Sequence, residues 1–191
     1  MTASSVVVGL LLAAGAGRRM GGPKALVGTW LPDAVGALRD GGCGRVVVVL
    51  GASAAEARPL LEGYDVELVV AKDWAEGMGA SLRTGLAALG GDGAAALVTL
   101  VDLPDVGGEV VGRLLAREVT TATLARASYA GTPGHPVLIG RDHWPGVIAS
   151  AQGDRGARDY LAVNRVELVE CGDLASGRDE DTPTRGQPAA E

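Results

Sequence analysis

Short, unbroken runs of Val and Leu recur along this chain and are separated by stretches with helical spacing. The predicted strands are Val6–Leu12, Arg45–Leu50, Val66–Ala71, Ala95–Val101, Thr120–Arg126 and Asn164–Cys171. The predicted helices are Leu31–Asp40, Ala54–Glu62, Met78–Leu89 and Glu109–Arg117. Apolar runs without alternation are typical of strands covered on both faces. Together with the helices between them, they predict an α/β fold with a doubly wound, mostly parallel sheet.

One segment, Ala130–Pro136 (AGTPGHP), interrupts this rhythm because it is rich in Gly and Pro. We expect it to introduce an antiparallel strand into the parallel sheet. The 191 residues fit one domain, which we place at residues 1–185. The last residues, 186–191, are predicted to be a flexible C-terminal tail because they are polar and terminal.

The bulk composition excludes several classes of protein. The formal charge is −6, aromatic residues make up 3% and Phe is absent, so a nucleic-acid-binding surface is disfavoured. The apolar run near the N-terminus has no basic residues before it and is too short to span a bilayer. Cys43 and Cys171 lie outside any metal-ligand spacing. We therefore expect a cytoplasmic protein with reduced thiols and no membrane partner.

A glycine-rich segment, Leu12–Lys24 (LAAGAGRRMGGPK), directly follows the first predicted strand. Ligands of such sheets bind at the carboxyl ends of the strands, and small residues let backbone N–H groups approach a phosphate. Arg18, Arg19 and Lys24 add positive charge. A glycine turn without a ligand is the plain alternative, but three cations crowded into a turn of an acidic protein favour an anion.

Two better-known phosphate loops do not fit this segment. A Walker A loop has Ser or Thr after its Lys, whereas Ala25 follows Lys24. A dinucleotide fingerprint requires G-x-G-x-x-G, and Met20 stands where the last Gly belongs. A hydride-transferring dehydrogenase is therefore the weakest of the alternatives.

An acidic residue, Asp102, closes the fourth predicted strand and precedes Leu103-Pro104. An acid at this edge of the sheet can hold Mg²⁺, which one or two carboxylates commonly bind together with phosphate oxygens and water. The alternative is a turn-forming Asp before a Pro-containing bend.

The motif L-A-A-G-x-G-x-R-M-G-x-x-K resembles the signature loop of the MobA-like NTP transferases, the molybdenum-cofactor nucleotidyltransferases. Its double Ala is more similar to the cytidylyltransferase branch, MocA. Four further stretches resemble later family segments in the same order. They are Trp74–Arg83, Val101–Pro104, Gly134–Pro136 with Gly153–Arg158, and the closing Asp179–Pro183. One departure is that Ala25–Pro32, before the first helix, is shorter than the family's usual stretch.

This resemblance implies a Rossmann-like nucleotidyltransferase fold and a set of site residues. The implied nucleotide-binding residues are Leu12, Ala13, Ala14, Gly15, Gly17, Arg19, Lys24 and Ser81. The implied catalytic residues are Arg19, Lys24 and Asp102. Asp102 and Asp179 are the implied Mg²⁺ ligands, with Asp181 as the alternative to Asp179. His135 is implied to bind the acceptor, and Asp154, Arg155 and Arg158 either cap a helix or hold an acceptor phosphate.

The implied reaction transfers an NMP from an NTP, with CTP favoured, to a phosphorylated small molecule, with molybdopterin favoured. An acceptor phosphate attacks the α-phosphorus and pyrophosphate leaves, so no general base is needed. Two alternatives stay open: the same chemistry on a sugar phosphate or coenzyme precursor, and a non-catalytic escort that delivers cofactor to a molybdoenzyme. The base, the acceptor and the oligomeric state are likewise open at this point.

Overall fold

The computed structural model describes residues 6–91 and 93–180, and over these residues it forms one seven-stranded sheet. The strands are β1 Val7–Ala13, β2 Arg45–Leu50, β3 Glu67–Val70, β4 Ala95–Leu100, β5 Leu124–Tyr129, β6 Thr132–Gly140 and β7 Glu167–Glu170. Their order across the sheet is β3-β2-β1-β4-β6-β5-β7. Strand β6 runs antiparallel to both of its neighbours, and the other pairs are parallel. The predicted doubly wound, mostly parallel α/β sheet is thus confirmed.

Helices cover both faces of this sheet and form two cores. They are α1 Trp30–Asp40, α2 Ala54–Ala57, α3 Met78–Ala88, α4 Gly108–Leu115, α5 Trp144–Ser150 and α6 Arg158–Val163. One core lies under α1, α2 and α4, and the other lies under α3, α5 and α6. None of the helices in the described ranges is long and apolar enough to cross a membrane.

Strand β1 shows why the Val and Leu runs lack alternation. All seven of its residues are buried, and they point alternately into the two cores: Leu11 into the first and Leu10 into the second. Helix α3 lies close on this strand, because a Cβ added at Gly85 would lie only 2.8 Å from Leu10 Cδ1. Both faces of the central strand are therefore apolar by necessity.

Some predicted element boundaries were wrong. The strand predicted at Thr120–Arg126 begins only at Leu124, since Thr120 and Thr123 instead form a turn in which Thr123 N donates to Thr120 O at 3.2 Å. The helix predicted at Ala54–Glu62 divides into α2 and a 3₁₀ turn, Arg58–Leu61, where Pro59 lies. Proline removes a backbone donor, which disfavours a continuous α-helix there.

The expected antiparallel strand is present as β6. It follows β5 through a two-residue turn, Ala130-Gly131, in which both residues have positive φ angles of 50° and 79°. Such turns match the twist of the two strands but strain a residue other than Gly or Asn. The carboxylate of Glu170 accepts hydrogen bonds from both turn nitrogens, at 2.8 Å from Ala130 and 3.0 Å from Gly131. These bonds stabilise the turn around the strained alanine.

The strand register places three carboxyl ends side by side. Ala13 of β1 pairs with Leu50 of β2, and Leu12 pairs with Leu100 of β4. The chain leaves β1 towards β2 and β3 and later returns to β4 on the other side of β1. The gap between β1 and β4 is thus a topological switch point, where ligands of open α/β sheets bind.

Candidate active site

A large cavity of about 500 Å³ opens at this switch point. It lies between the glycine-rich loop after β1, the segment Trp74–Met78 at the start of α3, and the residues that follow β4. Each nucleotide-binding, catalytic and metal-binding residue implied by the sequence lines it. These are Leu12, Ala13, Ala14, Gly15, Gly17, Arg19, Lys24, Ser81, Asp102 and Asp179.

The glycine-rich loop closes on itself at Gly17. The φ angle of Gly17 is +58°, and its carbonyl accepts hydrogen bonds from Met20 N at 2.9 Å and from Gly22 N at 3.2 Å. A Cβ at Gly17 would lie 1.8 Å from Gly22 O, so no other residue fits here without moving the loop. This turn directs the chain back to the sheet edge, where Lys24 begins a short 3₁₀ helix.

An ion pair joins the loop to the end of β4. Lys24 Nζ donates to Asp102 Oδ2 at 2.5 Å, and the two side chains are only 17% and 13% exposed. A pair this poorly solvated is screened less than a surface pair. It places an amine and a carboxylate in the lining of the large cavity, where each can exchange its partner for a ligand.

The closing segment, Asp173–Glu180, lies along the turn that follows Asp102. Glu180 N donates to Asp102 O at 3.0 Å, and Ser176 N and Oγ both donate to Asp105 Oδ2 at 2.6 Å. These bonds place Asp179 in the lining of the large cavity. Asp181, the alternative metal ligand, lies outside the described residues, as does the rest of the closing motif.

The opposite wall is the segment Trp74–Met78. Gly77 has a φ angle of +114°, and a Cβ there would lie 2.5 Å from Asp154 Oδ1. Arg83 secures this wall by donating to Glu76 Oε2 at 2.8 Å and to Ala151 O at 2.6 Å. The sequence indicated Trp74 only through the resemblance of its segment to a nucleotide-contacting segment. It left Asp154 open as a helix cap or as part of an acceptor-phosphate site, and the structure places Asp154 in the lining of the large cavity.

The charges in the large cavity do not favour a bare polyanion. Among the described residues of its lining, three are cationic, Arg18, Arg19 and Lys24, and four are acidic, Glu76, Asp102, Asp154 and Asp179. Within residues 6–91 and 93–180 no group of three or more His, Cys, Asp or Glu side chains is assembled around a metal position. Asp102 and Asp179, which both line the cavity, are carboxylates of the kind that could hold Mg²⁺ if phosphate oxygens and water completed its shell.

A small pocket of about 110 Å³ adjoins the large cavity and shares Leu12, Met78 and Asp154 with it. His135 lies here and not in the large cavity, together with Arg126, Arg155 and Arg158. Burial, and secondly the charge of Arg126, lower the pKa of His135 to about 4, so its imidazole is neutral at pH 7. The sequence did not identify Arg126, which lies within a predicted strand without any motif around it.

The fold and the large cavity together define a nucleotide-binding α/β protein of the nucleotidyltransferase type. A sequence model of the MobA-like NTP transferase domain matches residues 9–170, and the chain belongs to that family. It is therefore a member of a family of nucleotidyltransferase enzymes, as the loop motif predicted.

Three known proteins illustrate its relationships. The nicotine blue oxidoreductase of Paenarthrobacter nicotinovorans is 41% identical over 92% of both chains. The structure of Rv0371c from Mycobacterium tuberculosis H37Rv superimposes with a TM-score of 0.79 at 26% identity, covering 94% of this chain and 95% of that one. A complex of Rv0371c with manganese has a TM-score of 0.70 at 24% identity, covering 87% and 88% of the two chains.

Proposed function

We propose that this protein transfers a nucleoside monophosphate from an NTP, with CTP as the first candidate, to a phosphorylated small molecule, with molybdopterin as the first candidate. The observation that carries the proposal is the Lys24–Asp102 ion pair, which lies between a glycine-rich loop and the end of β4 in a cavity at the switch point of the sheet. The choice of CTP rests on Ala13-Ala14, which resemble the cytidylyltransferase branch.

The triphosphate would bind along the loop from Ala14 to Lys24. Gly15 has open space around it, so the backbone there is accessible to a ligand. Arg19 and Lys24 would neutralise the β- and γ-phosphates, and Arg can do so with two parallel donors. Ser81, which is buried in the first turns of α3 beside the cavity, would donate its hydroxyl to the nucleotide.

Asp102 and Asp179 would hold Mg²⁺ in this site. The charge balance supports a divalent cation, because four acidic side chains in the cavity would otherwise repel the triphosphate. The structure of Rv0371c with manganese shows that a protein of this fold is found with a divalent metal. When bound, the ion would neutralise charge on the phosphates.

The reaction would proceed by in-line displacement. An oxygen of the acceptor phosphate attacks the α-phosphorus, and the bond to the bridging oxygen of pyrophosphate breaks. When the NTP binds, Lys24 would exchange Asp102 for the β- and γ-phosphates, which leave as pyrophosphate. The Asp102 carboxylate would then be available to the metal. The protein supplies position and charge, and no proton has to be removed from an ionised phosphate.

The test is to incubate purified protein and Mg²⁺ with each of the four NTPs and molybdopterin, and to follow pyrophosphate release. Turnover with CTP that is lost in both Lys24→Ala and Asp102→Ala would support the proposal. Turnover with another NTP would keep the chemistry and overturn the choice of base. If no NTP gave turnover or saturable binding, nucleotidyl transfer would be excluded.

A second candidate function is oxidation or reduction of a conjugated aromatic compound, and the 41% identical nicotine blue oxidoreductase favours it. Such chemistry needs an electron donor, and a nicotinamide dinucleotide bound at the glycine-rich loop would supply hydride. Met20 in place of the last fingerprint glycine argues against this ligand.

An absorbance measurement distinguishes the two candidate functions, nucleotidyl transfer and hydride transfer. Reduction of nicotine blue would consume NADH or NADPH and lower the absorbance of the cofactor, without any release of pyrophosphate. The Lys24→Ala substitution should abolish pyrophosphate release, because the amine would neutralise that leaving group. It should leave hydride transfer largely intact, because no pyrophosphate leaves in that reaction. Cofactor consumption that persists in Lys24→Ala, with no pyrophosphate release by the wild type from any NTP, would establish the oxidoreductase and reject the transferase.

A further inference from the structure

We propose that Arg126 of β5 and Arg158 of α6 bind the acceptor's phosphate in the small pocket. This inference rests on the proposed function, because it assigns the second substrate of the same reaction. It adds Arg126, which the sequence did not identify, and it chooses the phosphate-binding interpretation of Arg158, for which the sequence left a helix cap open as well.

The charge of the small pocket differs from that of the large cavity. In the part of the chain that the structure describes, Arg126, Arg155 and Arg158 line it, together with one acidic residue, Asp154. Arg155 is paired with Asp159 at 3.0 Å. Over the described ranges, no carboxylate lies within ion-pair distance of Arg126 or Arg158. An excess of arginine charge in a cavity favours an anionic ligand.

Arg126 is held in a fixed orientation although it has no acidic partner within the described ranges. Its Nε and Nη2 both donate to Gly134 O, at 3.1 and 3.0 Å, so the guanidinium is fixed across the β5–β6 pair. Its pKa is lowered first by burial and then by the charge of Arg158. Two arginines that repel each other in a half-buried site are stabilised when an anion binds between them.

The size of the pocket limits what can enter. A volume of about 110 Å³ corresponds to roughly four water molecules at about 30 Å³ each. A phosphate group fits this space. The rest of the lining is apolar, with Leu82, Val98 and Val137 among its residues, so polar recognition falls to the arginines and His135.

The position of the pocket fits the attacking group. Leu12, Met78 and Asp154 line both spaces, so a phosphate in the small pocket borders the space where the triphosphate would bind. The remainder of the acceptor would extend into the large cavity beside Trp74. An acceptor whose phosphate lies at this border can present an oxygen to the α-phosphorus.

The experiment measures binding of inorganic phosphate by calorimetry, with the large cavity saturated by Mg²⁺ and the α,β-methylene analogue of the NTP that supports turnover. Phosphate should bind with a stoichiometry of one. Arg158→Gln and Arg126→Gln should each weaken it at least about tenfold, the usual consequence of losing a charge-assisted hydrogen bond. Arg126→Lys should retain part of the affinity. Arg165→Gln, which removes an exposed arginine outside both cavities, should leave it unchanged.

Arg158 is exposed, so its substitution tests the subsite even if Arg126→Gln fails to fold. Competition between phosphate and the analogue would overturn the inference, because the arginines would then serve the nucleotide. Equal affinity in Arg158→Gln and Arg165→Gln would also overturn it. If the protein bound no NTP at all, phosphate would be titrated into Lys24→Ala without analogue. If the double variant Lys24→Ala/Arg158→Gln then bound phosphate more weakly than Lys24→Ala, the phosphate subsite would be supported although nucleotidyl transfer was rejected.

Discussion

The large cavity and the small pocket adjoin each other but are built in different ways. The large cavity takes most of one wall from a single stretch, Leu12–Lys24, in which backbone and small side chains predominate. The small pocket draws its arginines and histidine from β5, β6 and the segment that leads into α6. Acidic residues outnumber cations in the first, and the reverse holds in the second. A cavity with acids suits a metal–phosphate complex, whereas a cavity with an excess of arginines suits a bare phosphate.

The largest expected effect is at the ion pair of the large cavity. Lys24→Met keeps the length of the side chain but removes the charge that would neutralise pyrophosphate, so we expect kcat to fall about 10²–10³-fold, as for loss of one preorganised stabilising group. Pyrophosphate release under saturating substrate measures this. Lys72→Met, at an exposed lysine outside both cavities, is the matched control.

The same ion pair should also contribute to folding. In a double-mutant cycle of Lys24→Met and Asp102→Asn, urea unfolding should give a coupling free energy of about 1–3 kcal/mol, since contacting residues couple over this range. A coupling near zero, with kcat unchanged in Lys24→Met, would mean that the pair has neither role.

The second prediction tests whether the loop backbone forms the large cavity. In Gly17→Ala the new Cβ would overlap Gly22 O at 1.8 Å, and the φ angle of +58° would add strain, so the loop must open. We expect the NTP analogue to bind at least about tenfold more weakly, since backbone strain alone costs of order 1–3 kcal/mol. Phosphate binding in the small pocket should be unaffected.

Gly22→Ala is the control for that change, because a Cβ at Gly22 meets no atom within 4 Å. It alters the same loop by the same methyl group without the overlap. If both variants bound the analogue equally well, the closed loop would not be needed for nucleotide binding.

The sequence was informative about the large cavity for a physical reason. Its loop is contiguous and follows β1, whose seven residues are buried, so the apolar pattern of that strand alone was enough to place Leu12–Lys24 at the sheet edge. Asp102 could be placed in the same way, because the carboxyl ends of parallel strands meet at one edge. The antiparallel strand β6 was expected only because the segment Ala130–Pro136 is rich in Gly and Pro. The sequence did not predict how long this strand is.

The small pocket could not be assembled from the sequence. Arg126 is one residue of a strand, and nothing in the local sequence shows that it lies in the same pocket as Arg158. Arg158 was open to two interpretations, a helix cap or a phosphate ligand, and it begins α6 and lines the pocket as well. Only the tertiary fold brings Arg126 and Arg158 together, so a motif search finds the loop and the segment Gly153–Arg158 but misses Arg126.

The third prediction concerns the wall that the two spaces share. In Gly77→Ala the Cβ would lie 2.5 Å from Asp154 Oδ1, so Asp154 and the Gly153 backbone must move. Because Asp154 lines both spaces, binding of the analogue and of phosphate should both weaken, by about 3- to 10-fold, if the strain is of order 1 kcal/mol.

Gly63→Ala provides the comparison for this wall. Gly63 has a positive φ angle of +85°, but a Cβ there meets nothing within 4 Å. It therefore carries a similar backbone strain without displacing Asp154. A loss of only one of the two ligands in Gly77→Ala would show that the two spaces are independent.

The smallest expected effect is at Glu170, which supports the β5–β6 turn of the small-pocket side. Hydrogen bonds from Gly131 N, and then from Ser128 Oγ and the Gly172 and Ala130 nitrogens, lower the pKa of Glu170 from 4.5 to about 2. A lowered carboxyl pKa stabilises the fold fully above the unfolded-state value of 4.5, and this contribution is lost as the pH falls towards 2.

The variant Glu170→Gln tests this contribution. Its side-chain NH₂ group would face two hydrogen-bond donors, either Ser128 Oγ and Gly131 N or Ala130 N and Gly172 N, in place of a carboxylate oxygen that accepts from them. The Tm of the wild type should therefore exceed that of Glu170→Gln at pH 6, and the difference should shrink between pH 4.5 and pH 2. Phosphate affinity should fall slightly because Arg126 and His135 lie on these two strands, while analogue affinity should not change. A Tm difference that is constant with pH would show that the carboxylate's charge does not hold this turn.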